Sequence, residues 1–431
     1  MIPDTIPLPV DDAMRLPRML SVRQKFNTSR VESVSREILR QFDVPEIRAK
    51  FRPGMTIAVG CGSRGVANAA EATLAVVSEI KWLGCEPFLF PAMGSHGAAT
   101  AEGQVEVLRH YGISEETMGC PVRATMDTEV IGHLADGTPV HMDKFAAGAD
   151  GVVLINRIKP HTNFRAPWES GIVKMIGVGM GKIAGAGALH HHGMDRFHEV
   201  LPAAARVVVD TGKLLLGVGL VENALDETAI VEVIPAERLL AREAELQVQA
   251  KSLMGRLKFE EIDLLVIDEI GKSVSGTGAD PNVTGRNVRG VVWDARPALQ
   301  KIVMLGFVEG SDGNATGVGA ADVITRRLFN ELNLVATYTN VLTSGGLDAA
   351  AIPLIAESDR QAISIGLLAC SRTTPESARV VRIRNTLALD TILVSESLLP
   401  LIQANPDNFE VLGEATELQF DDGQIAQLPP T

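Results

Sequence analysis

Gly151-Val-Val-Leu-Ile-Asn156-Arg-Ile-Lys159-Pro-His161-Thr-Asn-Phe-Arg165 joins a continuous apolar run to a cluster of chemically active side chains. The run has the length and β-branched character of a strand buried on both faces, Gly151–Asn156. A strand leading straight into Lys-Pro-His sets a histidine just past its carboxyl end, where open α/β sheets hold their ligands. The same alternation of short apolar runs and helix-length segments extends outward. Met55–Gly60 and Pro87–Pro91 read as strands, and Val66–Leu83 and Ala101–Tyr111 as helices. Thr128–Met142, with Asp136-Gly137 at its centre, reads as a β-hairpin. Pro235–Met254 reads as a long amphipathic helix, and a fresh strand follows at Ile262–Asp268. A domain boundary is therefore expected near Gly255–Glu261. Beyond it, strands are expected near Val288–Val292, Ile302–Val308, Arg379–Ile383 and Thr391–Val394, and helices near Ala320–Leu332 and Arg360–Cys370. The expected fold is α/β, with two α/β domains and an active-site cleft between them. Residues 1–257 form the first, to which 406–431 could return, and residues 258–405 form the second.

Apolar residues make up 46% of the 431 and aromatics only 4%, so Ala, Val, Ile and Leu carry the core. The net charge of −13 argues against nucleic acid and against an anionic membrane surface as partners. No apolar run reaches the ~18 residues of a spanning helix. The opening Met1-Ile-Pro-Asp-Thr-Ile-Pro lacks a basic segment followed by an apolar run. Cys61, Cys85, Cys120 and Cys370 are scattered with no Cys-x-x-Cys, as free thiols in a reducing compartment would be. These features point to a cytoplasmic protein acting on a small molecule.

Four of the nine histidines lie at His161 and His190–His192. Histidine moves protons near neutral pH and holds borderline metals. His96 sits in Gly94-Ser-His-Gly97, where flanking glycines let a ring face a ligand. Pro160 stiffens the approach to His161, and Lys159 and Arg165 surround it with positive charge. Lys174 closes Ser170-Gly-Ile-Val-Lys174. Gly177-Val-Gly-Met-Gly-Lys182 is not a Walker A loop, since Ile176 and Ile183 occupy positions that motif reserves for Gly and Ser or Thr. It can still be a turn whose amides approach an anion, or a tight packing turn. His110, His133, His141 and His198 read as structural or exposed. No His-x-x-x-His or His-Glu-x-x-His spacing supports a zinc site.

The order Arg64, His96, His161, Lys174, His190 resembles the nickel-pincer lactate racemase family. That family has a Gly-x-His followed by a Glu, here Gly94-Ser-His96 and Glu102. It has a His soon after a strand, here His161, then a lysine motif, here Ser170–Lys174, and a histidine sixteen residues on, here His190. The likeness covers roughly residues 15–215 well and the second domain weakly. It implies a racemase or epimerase inverting C2 of a 2-hydroxy acid. The implied cofactor is nickel in a pincer nucleotide, pyridinium-3-thioamide-5-thiocarboxylic acid mononucleotide, linked covalently to Lys174. His190 is then the nickel ligand, with His191 or His192 as substitutes, and His96 and His161 are the acid/base pair. Arg64 and Lys182 would contact the cofactor phosphate, with amides of the Gly177 and Gly179 stretch. Lys272 would bind the substrate carboxylate, and Ser275, Thr277 and Asn282 would read further hydroxyls. Cofactor-biosynthesis and nickel-insertion proteins are the implied partners. The sequence departs from the family at Cys61, where an Asp is usual, and at Ile172-Val173, where the lysine motif lacks its Arg. Two other classes fit the residues: a metal-dependent hydrolase or lyase using the histidine cluster, and a non-catalytic sensor of the same fold.

Overall fold

The computed structural model describes residues 5–10, 14–63, 65–288, 296–426 and 428, with no side-chain description at 343 and 344. The chain divides into two compact units, Asn27–Met254 and Met1–Phe26 with Gly255–Thr431. Both are α/β.

The Asn27–Met254 unit is built on a five-stranded sheet, in the order Glu86–Pro91, Thr56–Cys61, Gly151–Arg157, Leu214–Glu222, Thr228–Pro235. The first four strands run parallel, and Thr228–Pro235 closes the sheet antiparallel to Leu214–Glu222. Side chains alternate between faces along each strand, so two cores form. Ala58, Val152 and Leu154 enter one core with Ile172, Val173, Leu189, Phe197 and Leu239. Ile57, Val59, Val153 and Ile155 enter the other with Ile38, Val76 and Leu108. Helices on both faces explain why the strands read as continuous apolar runs. The chain moves from Thr56–Cys61 outward to Glu86–Pro91, then returns on the other side at Gly151–Arg157. The resulting switch in strand order is where such sheets bind ligands.

The other unit holds an eight-stranded sheet in the order Leu354–Ala356, Val323–Thr325, Ala298–Phe307, Glu261–Ile270, Val380–Ile383, Thr391–Ser395, Met19–Gln24, Phe409–Val411. This corrects the placement of residues 1–26 in the first domain. Met19–Gln24 pairs antiparallel with Thr391–Ser395 and with Phe409–Val411, both in the eight-stranded sheet. Residues 406–431 do not return to the first unit either. Ile425 N–H donates to Asp359 and Leu428 N–H to Asp268, while Arg382 donates to the Ala426 carbonyl. The helix expected at Ala320–Leu332 is broken. Val323–Thr325 is a strand, as its β-branched residues favour, and Thr325 then caps Arg326–Asn330 by accepting from Leu328 N–H at 3.1 Å. Residues 289–292 of the strand expected at Val288–Val292 lie outside the described residues. Among the described residues no single helix is long and apolar enough to cross a membrane.

Candidate active site

Three adjacent parallel strands deliver polar side chains past their carboxyl ends: Ser63 after Cys61, His96 after Pro91 and His161 after Arg157. The His161 loop is tied from within. Glu169, fully buried, accepts from His161 N–H at 2.8 Å and Ala166 N–H at 3.1 Å, and pairs with Lys251 at 2.6 Å. The imidazole Nδ1 accepts from Asn163 N–H at 3.0 Å. A neutral ring so held carries its proton on Nε2. That nitrogen lies 2.6 Å from Lys174 Nζ, so ring and amine can exchange a proton directly.

Lys174 ends a short helical turn, Ile172–Lys174, that runs into a π-helical turn, Met175–Gly179. Such wide turns recur at functional sites because they re-aim side chains within a helix. The turn starts against a buried carboxylate. Glu243 accepts from Ile172 N–H at 2.9 Å and Val173 N–H at 3.1 Å through Oε2. Gly171 permits this approach, since a Cβ there would lie 2.4 Å from the Glu243 carboxylate. Burial pushes the Glu243 carboxyl up to about 8, against the pull of those two amides.

His190 ends the following helix, Lys182–His190. Its Nδ1 lies 2.6 Å from the Ala186 carbonyl, so Nδ1–H donates and Nε2 keeps its lone pair. Burial pushes its pKa down, and the charge of Lys174 adds to that shift. The ring is thus a neutral nitrogen donor. Aromatic contacts join it to His161: His190 to Phe197 at 4.9 Å, Phe197 to Phe164 at 5.5 Å and Phe164 to His161 at 4.5 Å between centroids. His96 bonds Ser63 Oγ through Nδ1. Its loop docks on the lysine-bearing helix, with Gly94 N–H donating to the Gly179 carbonyl at 2.9 Å.

Several expected site residues do other work. Lys182 is no phosphate ligand. It is fully buried, donates to the Pro91 carbonyl and to Gln104 Oε1, and lies 3.2 Å from Asp143. Burial lowers the Lys182 pKa and raises that of Asp143, each opposed by the partner's charge. Gln104 in turn donates to the Gly94 and His96 carbonyls, so Lys182 supports the His96 loop from below. Gly177 and Gly179 are packing glycines. A Cβ would meet Leu189 at 2.9 Å in the first case and the Ala92 carbonyl at 2.5 Å in the second. His192 turns away from the Lys174 group, with Nε2 bonded to Thr138 Oγ1 at 2.9 Å and 3.7 Å from Asp136. His191 is exposed. Arg64 lies outside the described residues. Lys272, Ser275, Thr277 and Asn282 belong to the other unit, on a loop that bonds largely to itself. Lys272 Nζ donates to the Gly276 carbonyl at 2.5 Å, Thr277 Oγ1 to the Ala279 carbonyl at 2.9 Å and Asn282 Nδ2 to Asp280 at 2.8 Å. Ser275 Oγ is 3.3 Å from Thr277 Oγ1. Cys61 is buried beside Thr73, and burial pushes its thiol up to about 12, so it is no anionic stand-in for Asp.

Comparison with known proteins found no matching family model and no matching curated protein. Among solved structures, the lactate racemase apoprotein from Thermoanaerobacterium thermosaccharolyticum is similar over 84% of this chain and 95% of that one, at 14% identity and a TM-score of 0.47. A protein from Thermotoga maritima is similar over 64% of this chain and 72% of that one, at 12% identity and a TM-score of 0.45. Both scores lie below one half, and neither likeness bears on what the site does.

Sequence reading missed the residues that hold this group in place. Glu243 had a readable signal. It falls at helical spacing with the buried Leu239, Leu246 and Ala250, a carboxylate on the apolar stripe of its helix. Ser63 had none, because its partner His96 lies on another strand's loop, and Glu169 and Gln104 bond to backbone groups three to ten residues away, at spacings that no motif marks.

Proposed function

We propose that this chain is an isomerase that inverts the C2 centre of a 2-hydroxy acid, with Lys174 carrying a nickel-pincer nucleotide. One observation carries the reading: Lys174 Nζ meets His161 Nε2 at 2.6 Å, in the same unit as a half-buried His190 whose Nε2 is left as a donor. The residues fit the group at two points. Lys174 offers an amine within hydrogen-bond reach of an imidazole, and His190 offers the single neutral imidazole such a metal needs from protein. Lys182, Gly177 and Gly179 are committed to packing and do not grip the phosphate.

When bound, the nucleotide supplies a nickel-activated position that takes up and returns a hydride. The protein's part is proton handling. His161 is the first proton carrier, and Glu169 keeps its loop in place. His96, held at Nδ1 by Ser63, is the second proton carrier through its own Nε2. Each positioned base is worth ~10²-fold or more in rate. Lys272, Ser275, Thr277 and Asn282 remain the proposed contacts to the substrate carboxylate and hydroxyls. Loading requires proteins that build the nucleotide and insert nickel.

The rival hydrolase needs about three protein ligands on its metal. Among the described residues no three His, Cys, Asp or Glu side chains are grouped to hold one. The test is intact mass, nickel content and chiral analysis of protein made in a host that synthesises the nucleotide. A mass adduct at Lys174, one nickel per chain and racemisation of a 2-hydroxy acid are expected. Metal without adduct, or an adduct that survives Lys174→Ala, overturns the proposal.

A further inference from the structure

In the unit containing Gly255–Thr431, the helix Leu334–Ser344 has one face committed to the protein. Thr337 is buried, accepting from Ala315 N–H at 3.0 Å and donating to the Asn333 carbonyl at 2.8 Å, and Val341 is buried beside it. The adjoining face carries Leu334, Val335, Tyr338 and Leu342. At ~3.6 residues per turn these four fall within an arc of about 100°. Leu347 follows in the turn packed beside the helix, and Ile352 and Leu354 continue toward the outermost strand of the sheet. Val335 and Leu342 are 79% and 70% exposed, and the other five lie between 38% and 60%. A surface helix ordinarily turns polar residues to water. Here, between Glu331 and Glu357, Asp348 is the single charged residue.

We infer that this face binds a second copy of the chain, the two helices pairing about a two-fold axis. The area is sufficient. At ~150–250 Å² for a large exposed side chain, the seven leave roughly 700 Å² per copy. Pairing then removes about 1,400 Å² from water, inside the ~1,200–2,000 Å² of stable interfaces. Two chains of net charge −13 repel over most of their surface, and a contact stripped of charge is where that repulsion is least. A membrane surface is a poor occupant, because interfacial helices carry Lys and Arg beside the apolar face. This helix carries no basic residue and is flanked by Glu331 and Asp348. Tyr338 lies within the stripe and gives the contact an aromatic anchor.

Sedimentation equilibrium on the full chain tests this. The wild type is expected at twice the chain mass in the micromolar range. Val335→Glu with Leu342→Glu is expected to give monomer, a loss of affinity of ~10²-fold or more, with unchanged circular dichroism and melting temperature. Mixing that variant with Val335→Lys, Leu342→Lys should restore dimer, an outcome misfolding cannot produce. A monomeric wild type overturns the inference, as does a dimer indifferent to both pairs of substitutions. Monomer that co-sediments with anionic vesicles overturns it in favour of a lipid surface.

Discussion

Lys174 and Lys182 stand eight residues apart in one glycine-rich stretch, and the fold uses them in opposite ways. Lys182 is enclosed by Asp143, the Pro91 carbonyl and Gln104, and its charge is spent on joining the hairpin, a strand end and the His96 loop. Lys174 is half-buried and faces an imidazole that can pass it a proton or take one. A cation walled in by fixed acceptors is a structural part. A cation beside a titratable base is a reactive one. A bend of 102° between Ile172–Gly179, which carries Lys174, and the helix that begins at Lys182 separates the two environments.

Exchanging the two phenotypes would break this contrast. Lys174→Ala is expected to abolish turnover and leave the urea midpoint unchanged. Lys182→Met is expected to lose about 3–5 kcal/mol of stability, because Asp143 is left as an uncompensated buried charge. A Lys182→Met protein of wild-type stability would remove the structural reading of that residue.

The histidines sharpen the contrast next. His161→Ala and His96→Ala should each slow turnover ~10²-fold or more, in both directions of interconversion, since each ring is base in one direction and acid in the other. Normal rates in either variant, measured by chiral chromatography, would exclude that residue from proton transfer.

Glu243 supplies a pH test of the lysine turn. Its folded-state pKa of about 8 lies above the ordinary glutamate value, so the folded state holds a proton that the unfolded chain has already released. Stability should therefore fall as pH rises from about 4.3 to 8, by at most about 5 kcal/mol. In Glu243→Gln this part of the slope should vanish. Urea midpoints at the two ends of the window measure it, and identical slopes would show that Glu243 does not titrate there.

The smallest effect is expected at His192. His192→Ala should cost about 1 kcal/mol through its Thr138 hydrogen bond and leave turnover intact. Lost activity there, with His190→Ala still active, would move the nitrogen donor from one ring to the other.

The strands around the site were legible because burial on both faces forces long apolar runs. Gly151–Asn156 is such a run, and the strand spans Gly151–Arg157. Met19–Gln24 was not legible as part of the eight-stranded sheet. Its partners are Thr391–Ser395 and Phe409–Val411, hundreds of residues away, and no local pattern encodes so distant a pairing. Within the site, His161 and Lys174 stood out from spacing and residue type. The choice of His190 over His192 did not, because neighbouring rings on a helix end differ only in what each meets.

The sequence by itself determined the α/β class, the strands of the parallel sheet and the histidines at their carboxyl ends, because strand period, apolar length and residue chemistry are local properties. Tertiary structure alone decided which lysine faces a base, which histidine keeps a free nitrogen and which carboxylates hold their loops. Those outcomes depend on burial and on partners brought from distant segments. The carbonyl at Pro91 and the carboxylate at Glu243 lie far along the chain from the residues whose chemistry they set.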